Sequence, residues 1–332
     1  MTVLVTGAAG YVGAHMILAL QDAGEAAVAL DDLSTGASWL LPDDTELIVG
    51  DVGDRNLLDR VFEKHTINDV IHFAGSLELE QSIRDPLAYY QNNTANTLAL
   101  LRACVRHGVK RFIFSSTASV YGRPDRVPVA ENAPINSITP YGASMAMSER
   151  ILSDAALAYG LEFVTLRYFN VAGADPKGRA GEIGKPTHLI KVAAQIAVGA
   201  RKENLQVYGS DYPTPDGTAI RDYVHVSDLA EAHMHALNRL RTGGGSVTLN
   251  CGYGRGYSVH EVIEAVSRVS GAPLPFENVE RRPGDPPQLI ADSAAIRMIL
   301  DWRPRFDDID FIVRTAIAWE RNLVERAHAK SA

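Results

Sequence analysis

A chain of 332 residues can hold two packed units, or one large α/β domain with an appended lobe. Its hydrophobic content of 46% and charged content of 22% are ordinary for a globular protein, and a formal net charge of −8 excludes the basic face that a nucleic-acid binder needs. Only two cysteines occur, Cys104 and Cys251, far apart and without CxxC spacing, which argues against a disulfide framework or zinc knuckle and fits a reducing cytoplasm. No apolar run approaches the roughly 20 residues that span a bilayer, and strand pattern begins at once, so neither a membrane span nor a signal peptide is expected.

Val3–Thr6 is apolar and β-branched and predicts a strand. A glycine loop follows, and Tyr11–Ala23 reads as a helix stopped by Gly24. Ala26–Leu30 is a second strand, closed by Asp31 and Asp32. Glu46–Val49 and Val70–Phe73 are short buried strands flanking the helical stretch Arg55–Lys64. Pro86 opens a long helix running to about His107, and Gly108 ends it. Arg111–Ser115 and Phe163–Leu166 are further strands. This alternation predicts an α/β fold with a Rossmann-type, doubly wound parallel sheet. After Asn170 the pattern loosens into loops rich in Gly, Pro and Asp, at residues 172–186, 209–217 and 281–287. The expected division is 1–169 as the dinucleotide-binding domain, with 218–240 returning to it, and 170–332 as a smaller C-terminal α/β substrate lobe.

The loop between the first strand and helix is Gly7-x-x-Gly10-Tyr11-Val12-Gly13. Glycines there let the backbone turn tightly and approach a pyrophosphate, and the helix N-terminus faces that anion with free N–H groups. Asp31, 18 residues past Gly13, can accept from adenosine ribose hydroxyls. No Arg or Lys lies between Asp31 and Leu41 to pair a 2′-phosphate, so the cofactor expected is NAD rather than NADP. Asp32 adjoins this ribose position, and Asp51 and Val52 should lie near the adenine.

With these residues in view, the chain resembles the extended short-chain dehydrogenase/reductase family, and within it the UDP-glucose (UDP-galactose) 4-epimerases. The resemblance is carried over nearly the whole length by Val5-Thr6-Gly7, Leu30-Asp31, Gly50-Asp51-Val52, His72-Phe73-Ala74-Gly75, Ser115 to Gly122, Tyr141-Gly142-Ala143-Ser144, Arg167-Tyr168-Phe169-Asn170, Asp211 to Thr214 and Arg221 to His225. It implies further cofactor contacts from Phe73, Ala74, Gly75, Asn93, Ser115, Tyr141 and Tyr168. It implies that Tyr141 removes the proton of the sugar 4-hydroxyl while Thr117 hydrogen-bonds the reacting oxygen. For the sugar nucleotide it implies Asn170, Arg221 and Arg282 at the diphosphate, with His188 and Leu189 starting a helix nearby. It also implies Gln206 and Tyr208 at the uridine end, Asp285 on its ribose, and Leu289 limiting the sugar pocket.

Members of this group carry a lysine four residues after the tyrosine, and here that position is Met145. A free tyrosine titrates near 10, and methionine cannot make it more acidic. Thr139 and Pro140 read as cap and first turn of a helix, which puts residue 145 one turn along on the face of Tyr141. Three readings stay open: an engineered inactive variant, a natural homologue with lost or slowed chemistry, or an enzyme in which the nicotinamide charge alone suffices. Leu77 likewise stands where many epimerases place a lysine near the nicotinamide ribose, and Ala8 replaces a common loop glycine that should be tolerated if its φ is negative. A 4,6-dehydratase would need Asp-Glu directly after Thr117, where Ala118 and Ser119 stand. A reductase that releases its cofactor every turnover and a non-catalytic nucleotide-sugar sensor are the other classes. The ten histidines show no metal-ligand spacing, and His233 and His235 would not share a helix face, so no metal is expected. A homodimer is implied through the helices around Leu87–Val105 and Ala143–Ala158.

Overall fold

The computed structural model describes residues 2–331 apart from Pro186 and Pro283. Six strands of the large sheet follow in chain order: β1 (Thr2–Thr6), β2 (Ala26–Asp31), β3 (Glu46–Val49), β4 (Ile67–His72), β5 (Arg111–Thr117) and β6 (Glu162–Tyr168). The seventh, Val247–Cys251, pairs parallel with β6 on its outer side, so the spatial order is β3-β2-β1-β4-β5-β6 and then Val247–Cys251. This is the doubly wound order whose strand direction of winding reverses at β1, and a ligand crevice opens there, beyond the strands' carboxyl ends. Val3, Val5, Val70, Ile71, Phe112 and Val164 are wholly or almost wholly buried, as expected of strands covered on both faces.

The helix Tyr11–Asp22 begins at Gly10 and ends before Gly24, whose φ is 70°. The expected single helix from Pro86 proves to be three joined stretches, with α-turns at Pro86–Tyr89, a π-helical segment at Tyr90–Ala95 and a further α-helix at Asn96–Arg106. Such π segments often mark functional sites. Here the π segment carries Asn93, which is buried against the crevice. A preceding short helix, Leu79–Arg84, was not foreseen. The helix Pro140–Tyr159 starts as expected: Thr139 Oγ1 accepts from the Gly142 amide at 3.2 Å and Pro140 occupies the first turn.

A smaller sheet gathers Asn170–Ala172, Ile220–His225, Gly256–Ser258 and Gln288–Leu289 around the central strand Ile220–His225. The next helix, Val226–Arg241, packs back against Tyr11–Asp22 and β5. The second half of the chain is thus tied to the large sheet twice, by this helix and by Val247–Cys251.

Candidate active site

The glycine loop has the backbone that its sequence calls for. Gly7 sits at φ 65°, and a Cβ there would lie 2.6 Å from the Ala74 nitrogen. A Cβ on Gly13 would strike the Gly7 carbonyl. Both contacts are with backbone, which cannot step aside, so only glycine permits this close turn. Ala8 is not among the positive-φ residues and is fully buried, so its methyl is accommodated. No side chain caps the helix at Gly10, which leaves the first-turn amides facing the crevice. This cradle suits a dinucleotide pyrophosphate.

Asp31 ends β2, where its two carboxylate oxygens accept from the Ala9 amide at 2.9 Å and the Leu33 amide at 2.8 Å. It therefore shapes the glycine loop as well as facing the expected ribose. Burial pushes its carboxyl upward, and the Leu33, Ala9 and Gly10 amides oppose that. Asp32 is turned to Ser34. Asp51 holds the Gly53 amide at 2.7 Å and the Asn96 side chain at 3.0 Å, and Val52 is buried beside them.

On the far side of β1, Phe73, Ala74 and Gly75 leave β4, and Ser115, Ser116 and Thr117 finish β5. Asn93 accepts from the Ser76 amide at 2.7 Å and donates to the Ser76 carbonyl at 2.9 Å and to Ser144 at 3.1 Å. Its role is thus to hold the strand exit Gly75–Ser76 against the Pro140 helix. That helix is fixed a second time by an ion pair the sequence reading did not single out. Arg167 of β6 and Glu149 meet in a buried, two-pronged contact at 2.7 and 3.0 Å, and Ser116 donates to the same carboxylate at 2.5 Å. An Arg and a Glu in separate elements carry no local signal of pairing.

Thr117 ends β5 and Tyr141 lies in the first turn of the Pro140 helix, so the two stand at one end of the crevice, where the Thr117 hydroxyl favours the ionised phenol. Burial pushes the Tyr141 phenol above its ordinary value, and the Thr117 hydroxyl offsets that only in part. Met145 is 9% exposed and packs in one apolar cluster with Phe169 and Leu289, with Tyr141 against it. Leu77 is half-exposed at the same end. Tyr89 sets its ring edge-on to Tyr141 at 6.4 Å.

The residues implied for a sugar nucleotide fall into three groups. Asn170, His188 and Leu189 line one small cavity with Tyr223 and the buried Lys191–Glu320 pair. Burial lowers the His188 pKa, but Glu182, 2.8 Å from its Nδ1, outweighs this and raises it overall. Arg221 and Asp285 are joined at 2.5 Å, so two residues read separately from the sequence act on one another. Arg282 lies over the Tyr208 ring at 3.8 Å, and Tyr208 donates to Gln206 at 2.7 Å. Among the described residues no three potential metal ligands come together.

A doubly wound sheet with a glycine cradle at β1 and a Tyr–Thr pair at β5 defines a dinucleotide-dependent enzyme scaffold. Residues 3–252 match the model of the NAD dependent epimerase/dehydratase family. The UDP-glucose 4-epimerase of Azospirillum brasilense is 55% identical over 322 residues, 97% of this chain and 92% of that one. Among solved structures, the UDP-glucose 4-epimerase from Brucella ovis in complex with NAD is 43% identical with a TM-score of 0.92, covering 96% of this chain and 97% of that one. The enzyme from Stenotrophomonas maltophila with bound NAD and formylated UDP-arabinopyranose is 38% identical with a TM-score of 0.94, covering 98% and 99%. The chain belongs to the NAD dependent epimerase/dehydratase family.

Proposed function

We propose that this chain binds NAD and a UDP-sugar and interconverts UDP-glucose and UDP-galactose, slowly at neutral pH. The observation that carries the reading is the Tyr141–Thr117 pair at the end of β5, set beside the glycine cradle. Near-full-length similarity to UDP-glucose 4-epimerases supports the substrate. NAD, when bound, supplies hydride chemistry at the sugar C4. Tyr141 takes the 4-hydroxyl proton and returns it, and Thr117 holds the same oxygen through both directions. Asn170, Arg221 and Arg282 hold the diphosphate, Tyr208 and Gln206 the uracil end, and Asp285 the ribose once Arg221 turns to phosphate. Leu289, of intermediate size, favours glucose and galactose over N-acetylated sugars.

Slowness follows from Met145. With burial raising the phenol and a thioether where a cation would act, Tyr141 stays protonated over most of the neutral range. The same feature supports a second reading, a binder of NAD and UDP-sugar without turnover. Incubating the protein with UDP-galactose and its N-acetyl analogue from pH 7 to 10 separates them. UDP-glucose formation rising with pH supports the epimerase, and none at any pH, with both ligands bound, supports the silent binder.

Residues 1–169, with 218–240, would serve NAD, and 170–332 the sugar nucleotide. Leu87 and Leu157, 77% and 90% exposed on the helical face, suit a homodimer contact. Two buried, unpaired thiols suit a reducing cytoplasm, and among the described residues no helix is long and apolar enough to cross a membrane.

A further inference from the structure

The glycine cradle is supported from outside by a segment that the binding scheme does not use. Ala9, in the middle of the loop, has both backbone groups engaged. Its amide donates to Asp31 at 2.9 Å, and its carbonyl accepts from the Ala37 amide at 3.0 Å. Gly36 lies against the same residue, so closely that a Cβ there would fall 2.7 Å from the Ala9 carbonyl carbon and oxygen. Residues 36–40 therefore form the outer wall of the cradle. A single 3₁₀ turn, Ser38–Leu40, closes this segment, with Leu40 sunk in the core and Trp39 turned outward, 38% exposed.

Trp39 is half-exposed but not free. Its ring stacks on Trp319 with centroids 6.1 Å apart and planes 18° from parallel. The Arg326 guanidinium carbon lies 4.2 Å from the centre of the Trp39 ring. Trp319 and Arg326 stand about two turns apart on one face of the helix Ile309–Ser331. Trp319 is itself fixed. It is buried, its Nε1 donates to the Glu182 carbonyl at 2.9 Å, and Gly181 abuts its indole so closely that a Cβ would lie 2.5 Å from the ring. The next residue, Glu320, is pinned by Lys191 at 2.7 Å. A surface loop thus rests its one large side chain on a platform that is tied on every side.

We propose that Trp39 is a positioning residue for the dinucleotide. Its stack on Trp319, with Arg326 over the ring, straps residues 36–40 to the last helix and so fixes Ala9 and the curvature of the pyrophosphate loop. Trp39 acts through Ala37 and Ala9. A loop already ordered on a fixed platform has little conformational entropy left to lose when the anion arrives, so the strap tightens binding by preorganisation. The inference rests on the NAD reading above.

The test is equilibrium dialysis of NAD against the full chain and its variants, with thermal melting to show that each is folded. Trp39→Ala should raise the Kd for NAD at least about fivefold. Trp39→Tyr, which keeps an aromatic face for Trp319 and Arg326, should stay within about twofold of the unaltered chain. Gly36→Ala leaves the stack intact but drives a methyl into the Ala9 carbonyl, and should weaken NAD as Trp39→Ala does. Trp319→Leu should also match Trp39→Ala, and the double variant should lose no more than either single change, because both act through one contact. An unchanged Kd in folded Trp39→Ala, losses that add in the double variant, or Trp39→Tyr as weak as Trp39→Ala would overturn the proposal. Failure of the unaltered chain to bind NAD would instead overturn the cofactor reading itself.

Discussion

Replacing Met145 by lysine is the most direct probe of the site. Residues four apart on a helix have Cβ atoms about 5–6 Å apart, and both lie on the Pro140–Tyr159 helix. An ammonium about 5 Å from the phenol oxygen, at an effective dielectric of about 20, favours the phenolate by about 3 kcal/mol. That corresponds to about two pKa units. At neutral pH the phenolate fraction would rise about a hundredfold, and general-base catalysis should recover at least a tenfold gain in turnover with UDP-galactose. The expected signature is a kcat–pH profile displaced about two units toward acid, with the KM for UDP-galactose little altered. A buried ammonium has a cost, and the variant should melt a few degrees lower. Met145→Gln, similar in length but neutral, is the control. The reasoning is refuted if lysine leaves turnover unchanged, or if glutamine raises it equally.

Three further outcomes are expected. Gly13→Ala would drive a methyl into the Gly7 carbonyl, so the variant should lose at least tenfold in NAD affinity by fluorescence titration while circular dichroism stays native. Four buried histidines, His15, His72 and His233 at about 4 and His225 at about 3, have pKa values lowered chiefly by burial. Between pH 6.5 and about 4 the unfolded chain binds protons the folded chain refuses, so stability is lost as pH falls through that window. Each histidine adds up to about 1.4 kcal/mol per pH unit, and His72→Gln should flatten a urea-melt series by about that amount. Leu87→Glu with Leu157→Glu should yield a monomer by sedimentation if these exposed leucines form the dimer contact, and an unchanged mass would discard that surface.

The local devices were legible because each is set within one turn or one strand. The glycine loop, the Thr139 cap, the strand at Ala26–Asp31 and the helix end at Gly24 all follow from backbone sterics and capping over a few residues. The resemblance added Tyr141, Thr117 and the anomaly at Met145. What escaped was set by partners distant in sequence. The π segment at Tyr90–Ala95 has no distinct side-chain period and is held in place by Asn93 reaching Ser76 and Ser144. The Arg167–Glu149 brace joins β6 to the Pro140 helix, and Arg221 with Asp285 joins residues 64 apart.

His233 marks the difference most clearly. In the sequence it is one of ten histidines without metal-ligand spacing. Packing buries it between Phe73 and Tyr168, and burial removes its charge. The chain alone determined which backbone turns, caps and strands could form, because those depend on neighbours along it. Only the tertiary structure decided which polar groups lost water and which partner each then had to find, because desolvation is a property of the packed interior.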